Sequence, residues 1–220
     1  MTGTTHPLPV VEEMAQASIP TPFGRFQVRV FRQAQPAEGS STHNEHVALV
    51  FGNVQQKDIV VRVHSECLTG EVFGSLRCDC RAQLEAAQAL IVKEGAGVIV
   101  YLRQEGRGIG LANKIKAYAL QDQGVDTVDA NQMLHLPVDG RDYGVAAAIL
   151  KQLGVSSLRL LTNNPTKVSG LQAFGITVSD RIPLLVPSTE HSSDYLQTKR
   201  RKLQHDIPSS AIHSPPPDKK

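Results

Sequence analysis

The stretch GVIVYLRQEGRGIGLANKIKAYAL, residues 97–120, decides how this chain is read. Residues 97–102 form a short apolar run of strand length, 103–110 carry glycines at 106, 108 and 110, and 111–120 read as a helix. Backbone N–H groups in a glycine-rich loop that leads into a helix can cradle phosphate, helped by the positive end of the helix. It is not a dinucleotide fingerprint: Leu111 follows Gly110 where that pattern needs a spacer and another glycine, and no acidic residue closes a second strand about 20 positions on. The Gly-Lys-Ser/Thr of a P-loop is also missing. A tight turn explains the glycines alone equally well, but Glu105 and Arg107 beside them are natural readers of a base edge and a phosphate.

Outward from this stretch, strand-like runs at 158–162 and 176–182 alternate with helical stretches at 111–122, 143–153 and 168–174. Such alternation predicts parallel pairing through right-handed crossovers. Upstream, Phe26, Val28 and Val30 alternate with polar residues, a half-buried strand, and 46–52 and 58–64 read as two more strands, expected to be antiparallel neighbours. Residues 34–45 read as a polar loop, and Leu84, Ala87 and Ile91 give a helix that runs up to Gly95. The expected fold class is therefore α/β in the mixed α+β sense, with antiparallel N-terminal strands joined to a strand–helix alternating layer. One catalytic domain is expected over 18–205, between a flexible leader at 1–17 and a disordered Pro/Ser-rich tail at 206–220.

Cys67, Cys78 and Cys80 are the only cysteines and lie within fourteen residues. An odd count at Cys-x10-Cys-x-Cys spacing makes a poor disulfide framework but a good soft-ligand set for zinc. Three protein ligands leave a position for water, whereas structural zinc is closed by four. Buried thiols are the plainer alternative. Against them, Arg77, Asp79 and Arg81 interleave with Cys78 and Cys80, and a core segment does not carry charge at every second position. A fourth ligand from a histidine such as His64 would make the site structural, and the spacing leaves both forms open.

At 40% hydrophobic and 20% charged residues the composition is that of an ordinary soluble protein. No apolar run reaches the roughly 18 residues of a membrane span, and the N-terminus has neither a basic leader nor an apolar signal core. A cytoplasmic, reducing setting is expected. Residues 1–187 hold 17 basic and 17 acidic side chains, so the net charge of +2 arises wholly in the last 33 residues. A nucleic-acid binder concentrates excess positive charge on its folded surface, so a polynucleotide partner is disfavoured.

Two further loops carry polar clusters. Residues 162–167, Thr-Asn-Asn-Pro-Thr-Lys, follow a strand, and ligands of open α/β sheets collect at strand C-terminal ends. An Asn-Pro turn is the plain alternative. In residues 137–144 Asp142 suits an N-cap, while Asp139 and Arg141 have no evident structural duty. Tyr118 lies on the helix after the glycine loop, by default a packing residue with a hydrated hydroxyl. An open zinc with several anion-binding loops fits a hydrolase acting on a phosphorylated small molecule.

The runs RVHSECLTG (62–70), SLRCDC (75–80), RQEGRGIGL with Asn113-Lys114, AYALQDQG (117–124), RDYG (141–144) and LLTNNPTKV (160–168) resemble, in order, the signatures of GTP cyclohydrolase II. The likeness runs from about Ile19 to Val186 and resumes at 195–199. It implies conversion of GTP to a 2,5-diamino-6-ribosylaminopyrimidinone 5′-phosphate with release of formate and pyrophosphate, the first committed step of riboflavin synthesis. It implies zinc on Cys67, Cys78 and Cys80, activating the water that attacks C8 of guanine and then hydrolyses the formyl group, and Mg²⁺ bridging the triphosphate. Arg62, Val63, His64, Ser65, Glu66, Gln83, Glu105, Gly106, Arg107, Thr127, Thr162 and Lys167 fall on the family's GTP-contacting positions.

Asp139 matches the family's proposed proton acceptor, Arg141 its proposed nucleophile toward the α-phosphorus, and Tyr118 a tyrosine implicated in ring opening. A guanidinium stays protonated and lacks a free lone pair, so stabilising the transferring phosphoryl group is the physically easier role for Arg141. His135 and Gln204 stand where the family usually has glycine. Only about 18 residues precede the match, so the fused dihydroxybutanone phosphate synthase domain common in the family is expected to be absent and the protein monofunctional. The resemblance further implies a homodimer. The alternatives are the same scaffold stopping at a formamidopyrimidine, or a non-catalytic zinc- or nucleotide-binding module.

Overall fold

The computed structural model describes residues 6–34, 45–137, 139–186, 200, 206–208 and 212, with Thr127 described by its backbone only. The segment 195–199 where the likeness resumes, most of the polar loop at 34–45, the first five residues and nearly all of the tail lie outside the described residues.

Among the described residues seven strands form one sheet: β1 (Val11–Pro20), β2 (Arg25–Gln33), β3 (Glu45–Phe51), β4 (Ile59–Ser65), β5 (Gly97–Leu102), β6 (Ser157–Leu161) and β7 (Thr177–Ile182). Their spatial order is β1-β2-β3-β5-β4-β6-β7. β1, β2, β3 and β5 pair antiparallel, whereas β5, β4, β6 and β7 run parallel. The mixed architecture matches the sequence expectation, with three corrections. β3 and β4 run in opposite directions but are not neighbours, because β5 lies between them. The crossover from β4 seats β5 directly beside it, and β5 then offers its other edge to β3. Residues 11–17 are no loose leader either: β1 hydrogen-bonds along β2 although most of its side chains are exposed. At the other end, Asp206 N–H donates to the Asn163 carbonyl (2.9 Å) and Ile207 is buried, so the chain is still packed where the tail was expected to begin.

The helices are α1 (Leu68–Glu71), α2 (Cys80–Glu94), α3 (Leu111–Gln121), α4 (Thr127–Met133), α5 (Gly144–Gln152) and α6 (Pro165–Ala173). α2 lies on one face of the sheet, where Ala87 and Ile91 pack with Phe26, Val60, Ile99 and Leu161. α5 lies on the other, where Ala146, Ile149 and Leu150 pack with Val61, Val63, Val98, Val100, Leu158 and Leu160. β4 is buried along nearly its whole length, as a central parallel strand covered on both faces must be.

This topology creates a crevice. The chain leaves β4 over the α2 face to reach β5, then returns over the α5 face to reach β6 on the far side of β4. The loops after β4 and β5 therefore diverge to opposite faces, and the gap at their C-terminal ends is where open α/β sheets take ligands.

Candidate active site

Strand alternation selects the side chains that enter the crevice. Val60, Arg62 and His64 share one face of β4, and Ile99 and Tyr101 share that face of β5. Toward the C-terminal ends the apolar pattern stops. Arg62 donates from Nη1 to the Leu161 carbonyl (2.9 Å) and from Nη2 to Gln83 Oε1 (2.6 Å), and Gln83 Nε2 donates to Asp79 Oδ2 (2.5 Å). Burial brings the Arg62 guanidinium down to about 10, so it stays charged at neutral pH.

Cys67 caps the N-terminal end of the single turn α1, and Cys80 opens α2. With Cys78 between them, the three sulfurs lie within 4.8 Å of one another, and Cys67 Sγ is 3.6 Å from Cys78 Sγ. Gly70 is what lets them meet, since a Cβ there would stand 2.7 Å from Cys78 Sγ and 3.2 Å from Cys67 Sγ. The thiols share their charge unevenly. Hydrogen bonds from Cys78 and Cys80 hold Cys67 far below the usual thiol range, and the same contacts push Cys78 up to about 11 and Cys80 higher than its ordinary value. The three form a cluster that could hold a metal ion.

Lys114, on α3, is buried against this cluster. Its Nζ donates to Cys67 Sγ (3.2 Å), Thr69 Oγ1 (2.9 Å) and Glu105 Oε1 (2.8 Å). Burial alone would lower the ammonium, but the Cys67 thiolate and Glu105 overcome it and hold it above its ordinary value. Glu105 in turn accepts from Leu68 N–H and Gly106 N–H, both at 2.7 Å. A second buried group flanks α1: His64 Nε2 and Glu71 Oε1 are hydrogen-bonded at 2.7 Å, Tyr101 OH donates to Glu71 Oε2 (2.5 Å), and the His64 and Tyr101 rings stack. Burial lifts the Glu71 carboxyl to about 7, and the negative groups Cys67, Glu105 and Glu66 add to it.

The glycine loop folds as one tight turn at Glu105–Gly108, with Gly106 and Arg107 both at positive φ. Gly108 has φ 88°, and a Cβ would meet the Gly140 carbonyl at 2.7 Å. Gly140 N–H donates to the Arg107 carbonyl (3.0 Å), so the loop that carries Asp139 and Arg141 is fastened to the glycine loop. Arg141 binds Asp139 through both carboxylate oxygens. Burial would raise Asp139, but Arg141 wins and keeps the carboxyl below its usual range. His135 takes φ 53°, a left-handed backbone that histidine tolerates better than most residues.

A cleft of about 130 Å³ opens over the sulfurs. Of the residues named from the sequence, Arg62, His64, Ser65, Glu66, Cys67, Cys78, Cys80, Gln83, Glu105, Gly106, Arg107, Tyr118, Arg141, Thr162 and Lys167 line it. Val63 does not: it points into the α5-side core and meets the site through its carbonyl, which accepts from Lys167 Nζ (2.8 Å). Asp139 stands behind the lining and meets the cleft through its pair with Arg141. Thr127 begins α4, and its side chain lies outside the description. Sequence reasoning gave no role to Lys114 or Asn131, which also line the cleft, as do Asn163 and Asn164 of the polar loop it had picked out. The available signal for Lys114 was its place four residues after Gly110, on the first turn of the helix that follows the glycine loop.

Residues 12–183 match the family model described as GTP cyclohydrolase II. The riboflavin biosynthesis protein RibBA of Bacillus cereus (strain ATCC 14579) is 53% identical over 197 residues, and that of Bacillus subtilis (strain 168) is 52% identical over 198. Each alignment covers 89% of this chain and 48% of the relative, so the chain spans about half the length of the curated relatives it matches. A looser likeness joins it to RibBX of A. baumannii, a two-domain 3,4-dihydroxy-2-butanone 4-phosphate synthase, with TM-score 0.46 and 23% identity over 81% of this chain and 41% of that one. The match of the family model across most of the chain, over the same segments that build the cleft, places the protein in the GTP cyclohydrolase II family.

Proposed function

We propose that the chain hydrolyses GTP to 2,5-diamino-6-ribosylamino-4(3H)-pyrimidinone 5′-phosphate, formate and pyrophosphate, in riboflavin biosynthesis, using zinc and Mg²⁺. The observation that carries this reading is the convergence of three sulfurs beneath a cleft lined by Arg62, Arg107, Lys114, Arg141 and Lys167. Zn–S bonds of about 2.3 Å at tetrahedral angles span about 3.8 Å between sulfurs, close to the Cys67–Cys78 separation of 3.6 Å. Cys67, Cys78 and Cys80 would hold the ion with one position open, where it supplies Lewis acidity and a water of lowered pKa.

The chain's own residues supply the rest. Arg62 and Gln83 form a charged, pre-ordered wall that can read polar edges of the base. The triphosphate would take the cationic wall, with Mg²⁺ on its oxygens. Arg141 is held flat and charged by Asp139, a geometry suited to stabilising a transferring phosphoryl group. A carboxylate kept ionised by its partner is a weak base, so steering Arg141 suits Asp139 better than taking a proton. Tyr118, with Arg77 stacked 4.9 Å over its ring, would orient water or the leaving formyl group. No helix among the described residues is long and apolar enough to cross a membrane. A cytoplasmic homodimer that binds neither nucleic acid nor membrane completes the reading.

Incubation of purified protein with GTP, zinc and Mg²⁺ tests it. Formate and pyrophosphate should appear in equal amounts as the pyrimidine absorbance grows. Pyrophosphate without formate would instead mark a reaction that stops at the formamidopyrimidine, and absence of both products would sink the proposal.

A further inference from the structure

Three sulfurs packed this closely can share negative charge only if something offsets their mutual repulsion. The described structure brings one ammonium into contact with them. Lys114 Nζ spends its three N–H donors on Cys67 Sγ, Glu105 Oε1 and Thr69 Oγ1, at 3.2, 2.8 and 2.9 Å. Glu105 is itself fixed by the backbone N–H of Leu68, the residue after Cys67, and by that of Gly106. The ammonium therefore has one orientation, and one of its protons is aimed at sulfur.

We propose that Lys114, locked by Glu105, is a positioning residue of the cysteine cluster: its hydrogen bond to the Cys67 sulfur draws electron density off that thiolate and tunes how tightly and how acidically a metal ion is held there. The proposal rests on the reading of the cluster as a metal site. It also gives Glu105 a second duty, because both its oxygens are engaged by the protein. Partners that hydrogen-bond to a metal's ligands typically change metal affinity by about 10–100-fold when removed.

The test is cobalt(II) titration of the full chain against a competing chelator, with the thiolate-to-cobalt absorption band as readout. Wild-type protein should bind one cobalt per chain with a tetrahedral, sulfur-rich spectrum. Lys114→Met should weaken binding about 10–100-fold and move the charge-transfer band to lower energy, because the sulfur lone pairs are no longer stabilised. The double variant Lys114→Met/Glu105→Gln removes the carboxylate that the single change strands, and carries the test if the single variant does not fold. It should keep both the weakened binding and the shifted band. Wild-type affinity and spectrum in Lys114→Met would overturn the proposal. Recovery of both in the double variant would do the same, because the loss would then belong to the stranded Glu105. Failure of the wild type to bind cobalt is a separate result, and it would remove the metal reading itself.

Discussion

The two faces of the sheet are built from the same strands and end differently. On the α5 face, Val61 and Val63 of β4 and Val98, Val100 and Leu102 of β5 are apolar, and only the terminal Ser65 of β4 breaks the pattern, at the rim of the cleft. On the α2 face the same strands begin with Val60 and Ile99, then turn to Arg62, His64 and Tyr101. Val63 and His64 are adjacent in the chain, yet one joins a dry core and the other lines the cleft. One face is committed to stability up to the last residue of β4. The other uses only its lower half that way and spends its upper half on buried polar groups, each held by a named partner.

Four perturbations sharpen or break that division. Cys80→Ser should have the largest effect, lowering zinc affinity and GTP turnover by more than the about 10–100-fold that loss of a partner behind a ligand costs, while unfolding stays cooperative. Metal analysis and a thermal melt check it, and collapse of the fold would make the cluster a structural one. Ile149→Ala, at the centre of the α5 side, should destabilise by about 2–5 kcal/mol in urea titration and leave turnover per folded molecule unchanged. Changed turnover would show that the faces are not separable.

The third perturbation concerns His46, a buried polar residue on the α5 side, whose strand partner is Phe31. Its Nδ1 accepts from Arg103 N–H (3.1 Å), which requires the neutral ring, and burial, with Arg103, lowers its pKa to about 4. The unfolded chain binds a proton near 6.5 and the folded one does not. The His46 contribution is therefore complete above pH 6.5 and lost as pH falls toward 4, about 3 kcal/mol in all. His46→Gln should flatten stability against pH in that window, and an unchanged slope would refute the assignment. Smallest of the four, Arg81→Ala removes an exposed i,i+4 pair with Glu85 beside Cys80 in sequence. It should shift stability by no more than about 0.5 kcal/mol and leave zinc content intact.

Much of this division was legible in the residues. One alternating run and a series of apolar, strand-length runs located β2 through β7, and the unusual spacing of Cys67, Cys78 and Cys80 singled out the cluster. What stayed hidden was long-range. β1 was missed because VEEMAQAS has only two large apolar side chains, Val11 and Met14, and its strand state comes from pairing with β2 rather than from burial. The neighbour relation of β3 and β4 was misread because adjacency in sequence says nothing about a crossover that inserts a third strand. The short helix α4 was missed although Asp126 caps it through Val128 N–H. Lys114 was passed over because a lysine on a helix ordinarily faces water, and only the fold reveals that this one reaches sulfur.

The insertion of β5 between β3 and β4 has a consequence for synthesis. A ribosome completes β1, β2 and β3 first, and these can pair locally as a meander. β3 ends at Phe51, but the strand that covers its other edge begins only at Gly97. Until the intervening crossover has been translated and closed, that edge is an open template for any passing strand. The growing chain is therefore most adhesive in the interval between the synthesis of β3 and that of β5.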